Sequence, residues 1–325
     1  MKKIVYTVCS ANHLAHCKTM ANSFIQFNPG YELLIVLIDQ VNERFNLSSF
    51  DPYKLLEISE LNVPDFDLMA AQYSVIELNC AMKPFVAQWI FKQYQPDLLL
   101  YIDSDTWVFS SFEGVENSLL ENDLVITPHF TNPYPDNHLL PRERDILRSG
   151  LYNAGFLGMR NTANTHNFLS WWAGHMKSEC YYNFAEGMGV DQIWINMVPL
   201  LFKRVQIDDN PGLNVAYWNL HERKINAKEG DYWVNQHHLL VFLHISGYQF
   251  IEPSNISRHQ NRYSFLDHPV LQELFAVYVT QVKENGYDFY SALSCAYAIP
   301  KKKSRGIMKT LNQIIRPLGI KISDL

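Results

Sequence analysis

The sequence predicts an α/β fold built on a mixed, mostly parallel sheet with helices on both faces. Three observations carry that expectation. Leu33–Ile38 and Leu98–Ile102 are apolar or aromatic throughout rather than alternating, as strands covered on both faces must be. Lys3–Val8, Leu14–Phe27 and Leu33–Ile38 read as strand, helix and strand within forty residues, a βαβ unit that implies a parallel pair. Three apolar runs stop at polar, metal-capable side chains: Asp39 after the second strand, Asp103 and Asp105 after the central one, and His244 after Leu239–Leu243. Parallel strands end on one edge of an open sheet, where such folds bind ligands, so these residues are expected to converge there.

In chain order, Ser10–His13 is a polar break between the first strand and its helix, which ends near Asn28-Pro29-Gly30. This first loop has neither a GxGxxG nor a GxxxxGK[ST] pattern, which argues against a dinucleotide fold and a P-loop enzyme. Asp65–Tyr94 reads as two helices broken near Asn79-Cys80, with Lys83-Pro84 in the first turn of the second, where proline is tolerated. A lysine there suits a phosphate, or is simply solvated. The central strand then delivers Asp103-Ser104-Asp105. Two carboxylates cannot be carried unpaired into a core, so they belong at the strand's carboxyl end. As hard oxygen ligands they suit Mg²⁺ or Mn²⁺ on a diphosphate; the plainer alternative is an Asx-turn.

Thr106–Phe109 and Leu124–Thr127 are further strands, and the prolines of Thr131–Asp136 mark a loop. Pro141–Arg148 suits a short helix. Asn153-Ala154-Gly155 places small residues before a strand, permitting close backbone approach to a ligand. Thr162–Cys180 is a helix whose Trp171 and Trp172 suit core packing better than a sugar platform. Asp191 opens a helix, for which N-capping is a sufficient reason. Residues 203–207 form a strand, Asn214–Asn219 is a polar-aromatic segment, and His268–Asn285 is a closing helix.

Composition narrows the function. The 325 residues are 47% hydrophobic and 18% charged, which is globular, and no apolar run approaches the ~20 residues of a membrane span. The start reads as a strand rather than a signal peptide. Five cysteines, at 9, 17, 80, 180 and 295, have no CxxC spacing and suit a reducing compartment. Residues 301–325 carry seven basic side chains and one acid; that +6 within a chain of −6 leaves −12 on residues 1–300. An acidic body is a poor nucleic-acid binder. The tail places apolar residues at 307, 308, 311, 314 and 315, one face of a basic amphipathic helix. Such a helix suits either an anionic membrane leaflet or its own domain. Pelleting with anionic vesicles that survives deletion of 301–325 rules out the membrane role.

Asp103-Ser104-Asp105, Asn153-Ala154-Gly155, Asp191-Gln192 and His244-Ile-Ser-Gly247, in this order and spacing, resemble the GT-A glycosyltransferases, most closely the retaining family-8-like ones of bacterial surface-glycan assembly. The resemblance spans roughly residues 3–265, which implies a catalytic domain at 1–265, a closing helical segment at 266–300 and the tail at 301–325. It implies that Asp103, Asp105 and His244 ligate Mn²⁺ or Mg²⁺ bridging the phosphates of a nucleotide-sugar, most often a UDP-sugar. Thr7, Val8, Asn12 and Asp39 would hold base and ribose. Lys83, Asp103, Ser104 and Gly247 would also contact the donor. Asn153 would line the sugar pocket with Asp191 and Gln192, the last two in catalytic positions. Phe250 stands where the family has a phosphate-binding lysine, and Arg258 and Arg262 offer replacement cations. The implied activity is hexosyl transfer to a glycan or lipid-linked acceptor, as in lipopolysaccharide or capsule assembly, on the cytoplasmic side of the membrane. Retention follows from the resemblance alone; an inverting enzyme with Asp191 as base, and a silent sugar-binding scaffold, stay open.

Overall fold

A computed structural model describes residues 1–41 and 50–297. The tail at 301–325 and the end of the closing segment lie outside the described residues. In chain order the strands are β1 (Lys3–Cys9), β2 (Glu32–Leu37), β3 (Lys54–Glu57), β4 (Leu98–Ile102), β5 (Thr106–Val108), β6 (Leu124–Pro128) and β7 (Tyr152–Arg160). There follow β8 (Tyr182–Asn183), β9 (Met188–Gly189), β10 (Val205–Ile207), β11 (Ile225–Lys228), β12 (Asp231–Val234), β13 (His238–Leu239) and β14 (Phe242–His244). The helices are α1 (Leu14–Phe27), α2 (Phe66–Gln72), α3 (Val75–Tyr94), α4 (Glu113–Glu121) and α5 (Glu143–Ser149). After them come α6 (Ala163–Met176), α7 (Gln192–Ile195), α8 (Val198–Leu201), α9 (Pro269–Glu284) and α10 (Tyr287–Tyr290).

Seven strands form the central sheet in the order β10-β6-β7-β4-β1-β2-β3. It is parallel except for β7, which runs antiparallel to both β4 and β6. Period-2 alternation splits each strand between two cores. On β1, Ile4, Tyr6 and Val8 pack toward α3 and α6, whereas Val5 and Cys9 pack toward α1, α4 and α9. Both faces are covered, so β4 is buried from Leu98 to Ile102. Each such Leu or Ile contributes about 1.5–3 kcal/mol on leaving water.

Two expectations are corrected. The break between α2 and α3 falls at Tyr73-Ser74, not near Cys80. Ser74 Oγ accepts from Glu77 N (3.4 Å) and the Glu77 carboxylate accepts from Ser74 N (2.8 Å), a reciprocal cap that starts α3 early. Lys83-Pro84 therefore sits in the interior of α3, and Lys83 is only 4% exposed. Second, His244 does not arrive on a strand of the parallel sheet. β14 pairs antiparallel with β5, in a register that puts His244 opposite Thr106. Because β5 begins one residue after Asp105, this small ladder carries the histidine to the carboxylates. Ile245 N donating to Asp105 O (2.8 Å) locks the end of the ladder.

Candidate active site

Asp103 and Asp105 leave the carboxyl end of β4 on a turn closed by Thr106 Oγ1 donating to Asp103 O (2.8 Å), with Ser104 buried between them. His244 Nε2 lies 3.3 Å from Asp105 Oδ1 and 3.7 Å from Asp103 Oδ2. One ligand atom from each of the three residues falls within 4.8 Å of the others. Gly155 on β7 makes room for the cluster. A Cβ there would stand 2.8 Å from Asp103 Oδ2 and 2.7 Å from Asn153 Oδ1, and would overlap His244 Cε1.

The imidazole is aimed from behind. Its Nδ1 lies 3.1 Å from Asn214 Oδ1, and the Asn214 amide donates to Thr127 Oγ1 (3.0 Å) and Asn153 Oδ1 (2.9 Å). Those two donations fix which amide atom faces the ring, so Nδ1–H is the donor to Asn214 and Nε2 faces the carboxylates. Metal-ligating histidines are held by such an outer partner. Burial pulls the His244 pKa down, but Asp105 and then Asp103 outweigh it and the net direction is upward. Two carboxylates that raise the proton affinity of a buried imidazole form a donor set suited to a divalent cation at the same place.

Lys83 ties this cluster to a third carboxylate. Its Nζ is 3.4 Å from Asp103 Oδ1, 2.9 Å from Asp191 Oδ2 and donates to Ala154 O (3.0 Å). Tyr101 OH also donates to Asp103 Oδ1, leaving Oδ2 facing His244. Burial opposes the charge on Lys83, yet Asp103 and Asp191 raise its pKa well above the ordinary value. Asp191, 2% exposed, occupies the N-cap position of α7 but makes no capping hydrogen bond; its side chain turns to Lys83 instead. Val190 before it has φ +52°, a left-handed conformation costly for a β-branched residue. Gln192 is spent on the scaffold: Oε1 accepts from Asn153 Nδ2 (2.9 Å) and Ala154 N (3.2 Å), and Nε2 donates to Ser149 O (2.9 Å).

Lys83, Asp103, Asp105, Asn153, Gly155, Asp191, Gln192 and His244 line one cleft of about 1190 Å³, together with Asn12, Gly247 and Arg258. Gly247 has φ +72° and lies so close to Ser257 and His259 that a Cβ would strike both. Other expected contacts lie elsewhere. Thr7 and Val8 are buried within β1. Asp39 is buried, and its oxygens accept from Ala11 N (3.1 Å), Gln40 N (2.9 Å) and Ala296 N (2.7 Å). Arg262 pairs with Asp136 (2.7 Å) and donates to the carbonyls of Asp136, Leu139 and Pro141, clamping the 131–141 loop. Sequence reasoning missed Asn214, Tyr101 and His129. Asn214 lay in a segment recognised only as polar-aromatic, and its φ of +59° leaves no trace in residue spacing.

No family model matches the chain. Two uncharacterized proteins of Bacillus subtilis (strain 168) are similar to it. YfnF is 28% identical over 203 residues, 60% of this chain, and the match spans 64% of YfnF. YfnD is 21% identical over 287 residues, 85% of this chain and 88% of YfnD. Among solved structures, an active-site mutant of LgtC superposes with a TM-score of 0.50 at 17% identity, covering 85% of this chain and 95% of that one. The bifunctional glycosyltransferase WbbM gives 0.51 at 15% identity, covering 89% and 51%. The glycosyltransferase GlyE of Streptococcus pneumoniae TIGR4 gives 0.50 at 15%, covering 94% and 66%. At such identities the likeness is one of fold: the chain has the GT-A architecture of these glycosyltransferases.

Proposed function

We propose that the chain is a divalent-metal-dependent glycosyltransferase of the family-8-like kind. It moves a hexose from a nucleotide-sugar, in our reading a UDP-sugar, to a glycan or lipid-linked glycan acceptor, with retention. The reading rests on the Asp103–Asp105–His244 cluster lining a cleft spacious enough for donor and acceptor together. A bound Mn²⁺ or Mg²⁺ would supply Lewis acidity to the diphosphate as the anomeric C–O bond breaks. Arg258, exposed in the cleft beside Gly247, takes the part of the lysine absent at 250 and stabilises charge on the departing phosphate. Asn153 and Gln192, each hydrogen-bonded to the other, shape the sugar pocket.

The pairing of Asp191 favours retention over inversion. An inverting base must be free to take a proton from the acceptor hydroxyl. Asp191 is buried, and Lys83 holds it at 2.9 Å. It therefore organises the pocket, and a phosphate oxygen of the leaving diphosphate receives the acceptor proton.

The test is release of nucleotide from a panel of nucleotide-sugars with Mn²⁺, since a transferase without acceptor slowly hydrolyses its own donor. One UDP-hexose is expected to be hydrolysed, with EDTA abolishing the activity. Binding without turnover across the panel identifies a scaffold and refutes the enzyme. The anomer of a transferred product decides retention.

A further inference from the structure

The end of the cleft nearest β1 is walled by Asn12, His13, His16, Phe250, Tyr287 and Ser291. If the chain binds a nucleotide-sugar as proposed above, this end of the cleft is open to the part of the donor that the Asn153–Gln192 sugar pocket does not hold. The Phe250 and Tyr287 rings stack with centroids 4.1 Å apart and 13° between planes. His16 stands edge-on to both, at 5.5 Å and 83° from Phe250 and at 5.7 Å and 87° from Tyr287. Its Nδ1 lies 2.8 Å from Tyr278 OH. Burial, with help from His13, pushes the His16 pKa down to about 3, so the ring is neutral and does not serve as a phosphate cation. Half-buried, parallel rings in a cleft wall are a surface that another flat ring extends, and every nucleobase has a π-face to offer.

The segment bearing Tyr287 is held against the first loop by the carboxylate expected to bind ribose. Asp39 Oδ1 accepts from Ala296 N (2.7 Å) and Oδ2 from Ala11 N (3.1 Å), so one side chain joins the chain's first loop to its last described turn. Cys295 Sγ reaches Ile38 O beside it (3.6 Å). We infer that the Phe250–Tyr287 stack is the shelf for the nucleobase of the donor nucleotide, and that Asp39 is a positioning residue that latches this C-terminal shelf in place. Aromatic area thus stands where the family resemblance leads one to expect a cation.

Calorimetric binding of UDP and of inorganic pyrophosphate, each with Mn²⁺, tests this in the full chain and in Tyr287→Leu, Phe250→Leu and Tyr287→Phe. UDP affinity is expected to fall about tenfold in each leucine variant, as loss of a stacking partner predicts, while pyrophosphate affinity changes by less than about twofold. Tyr287→Phe, which keeps the ring, retains the affinity for UDP. Equal losses for both probes mean that the rings only pack, and an unchanged UDP affinity means that they do not touch the base; either result overturns the shelf. Wild-type protein that binds pyrophosphate but not UDP also overturns it while leaving the metal site standing. Binding of neither probe sinks the proposed function as well.

Discussion

At the scale of single residues, the site is controlled by side chains other than the proposed metal ligands. Asn214 sets the His244 ring by one hydrogen bond and is itself set by two others. His129, at the end of β6, is buried, lies edge-on to Trp218 (5.1 Å, 73°) and approaches Asn153 Nδ2 at 3.4 Å. Burial lowers its pKa from 6.5 to about 4. A histidine whose folded pKa is depressed binds fewer protons folded than unfolded, so its contribution to stability is full above about 6.5 and is lost as pH falls toward 4. The loss amounts to roughly 3 kcal/mol, since each tenfold weakening of proton affinity is worth about 1.4 kcal/mol. Urea unfolding at pH 7 and pH 4.5 should show that slope in the wild type and a shallower one in His129→Gln. The acids and the histidine of the proposed centre were legible in the sequence because metal ligands come from a short list of residue types. Asn214 and His129 were not, because an outer partner is defined by geometry rather than type.

At the scale of elements, the parallel strands were legible and the joints between them were not. Leu33–Ile38 and Leu98–Ile102 announce themselves by length and apolarity. β7 does not announce that it runs antiparallel, since a strand buried on both faces looks the same in either direction. The early start of α3 turned on recognising Ser74-Val-Ile-Glu77 as a capping box, and its consequence is large: Lys83 becomes an interior residue bridging two acids. Likewise, His244 reaches Asp105 through the pairing of two three-residue strands, β5 and β14, too short to read from periodicity. β7 approaches this ladder closely at Gly155. Gly155→Ala drives a methyl into His244 and Asp103. It is expected to cost about 1–3 kcal/mol in stability and to weaken Mn²⁺ binding more than tenfold, readable by thermal melts with and without Mn²⁺.

At the scale of the whole molecule, a sheet edge gathers residues 83, 103, 105, 155, 191 and 244 around one cleft, and Asp39 links the first loop to the last described segment. The last of these positions comes from a strand outside the main sheet, so the centre is complete only with the β5–β14 pair in place. The central claim is that Asp103, Asp105 and His244 hold a single divalent cation. Calorimetric titration of Mn²⁺ into the UDP-saturated protein tests it most directly. One Mn²⁺ per chain is predicted, with affinity reduced at least about tenfold in Asp105→Asn and in His244→Ala. Absence of saturable Mn²⁺ binding, or binding that neither substitution disturbs, would contradict the account.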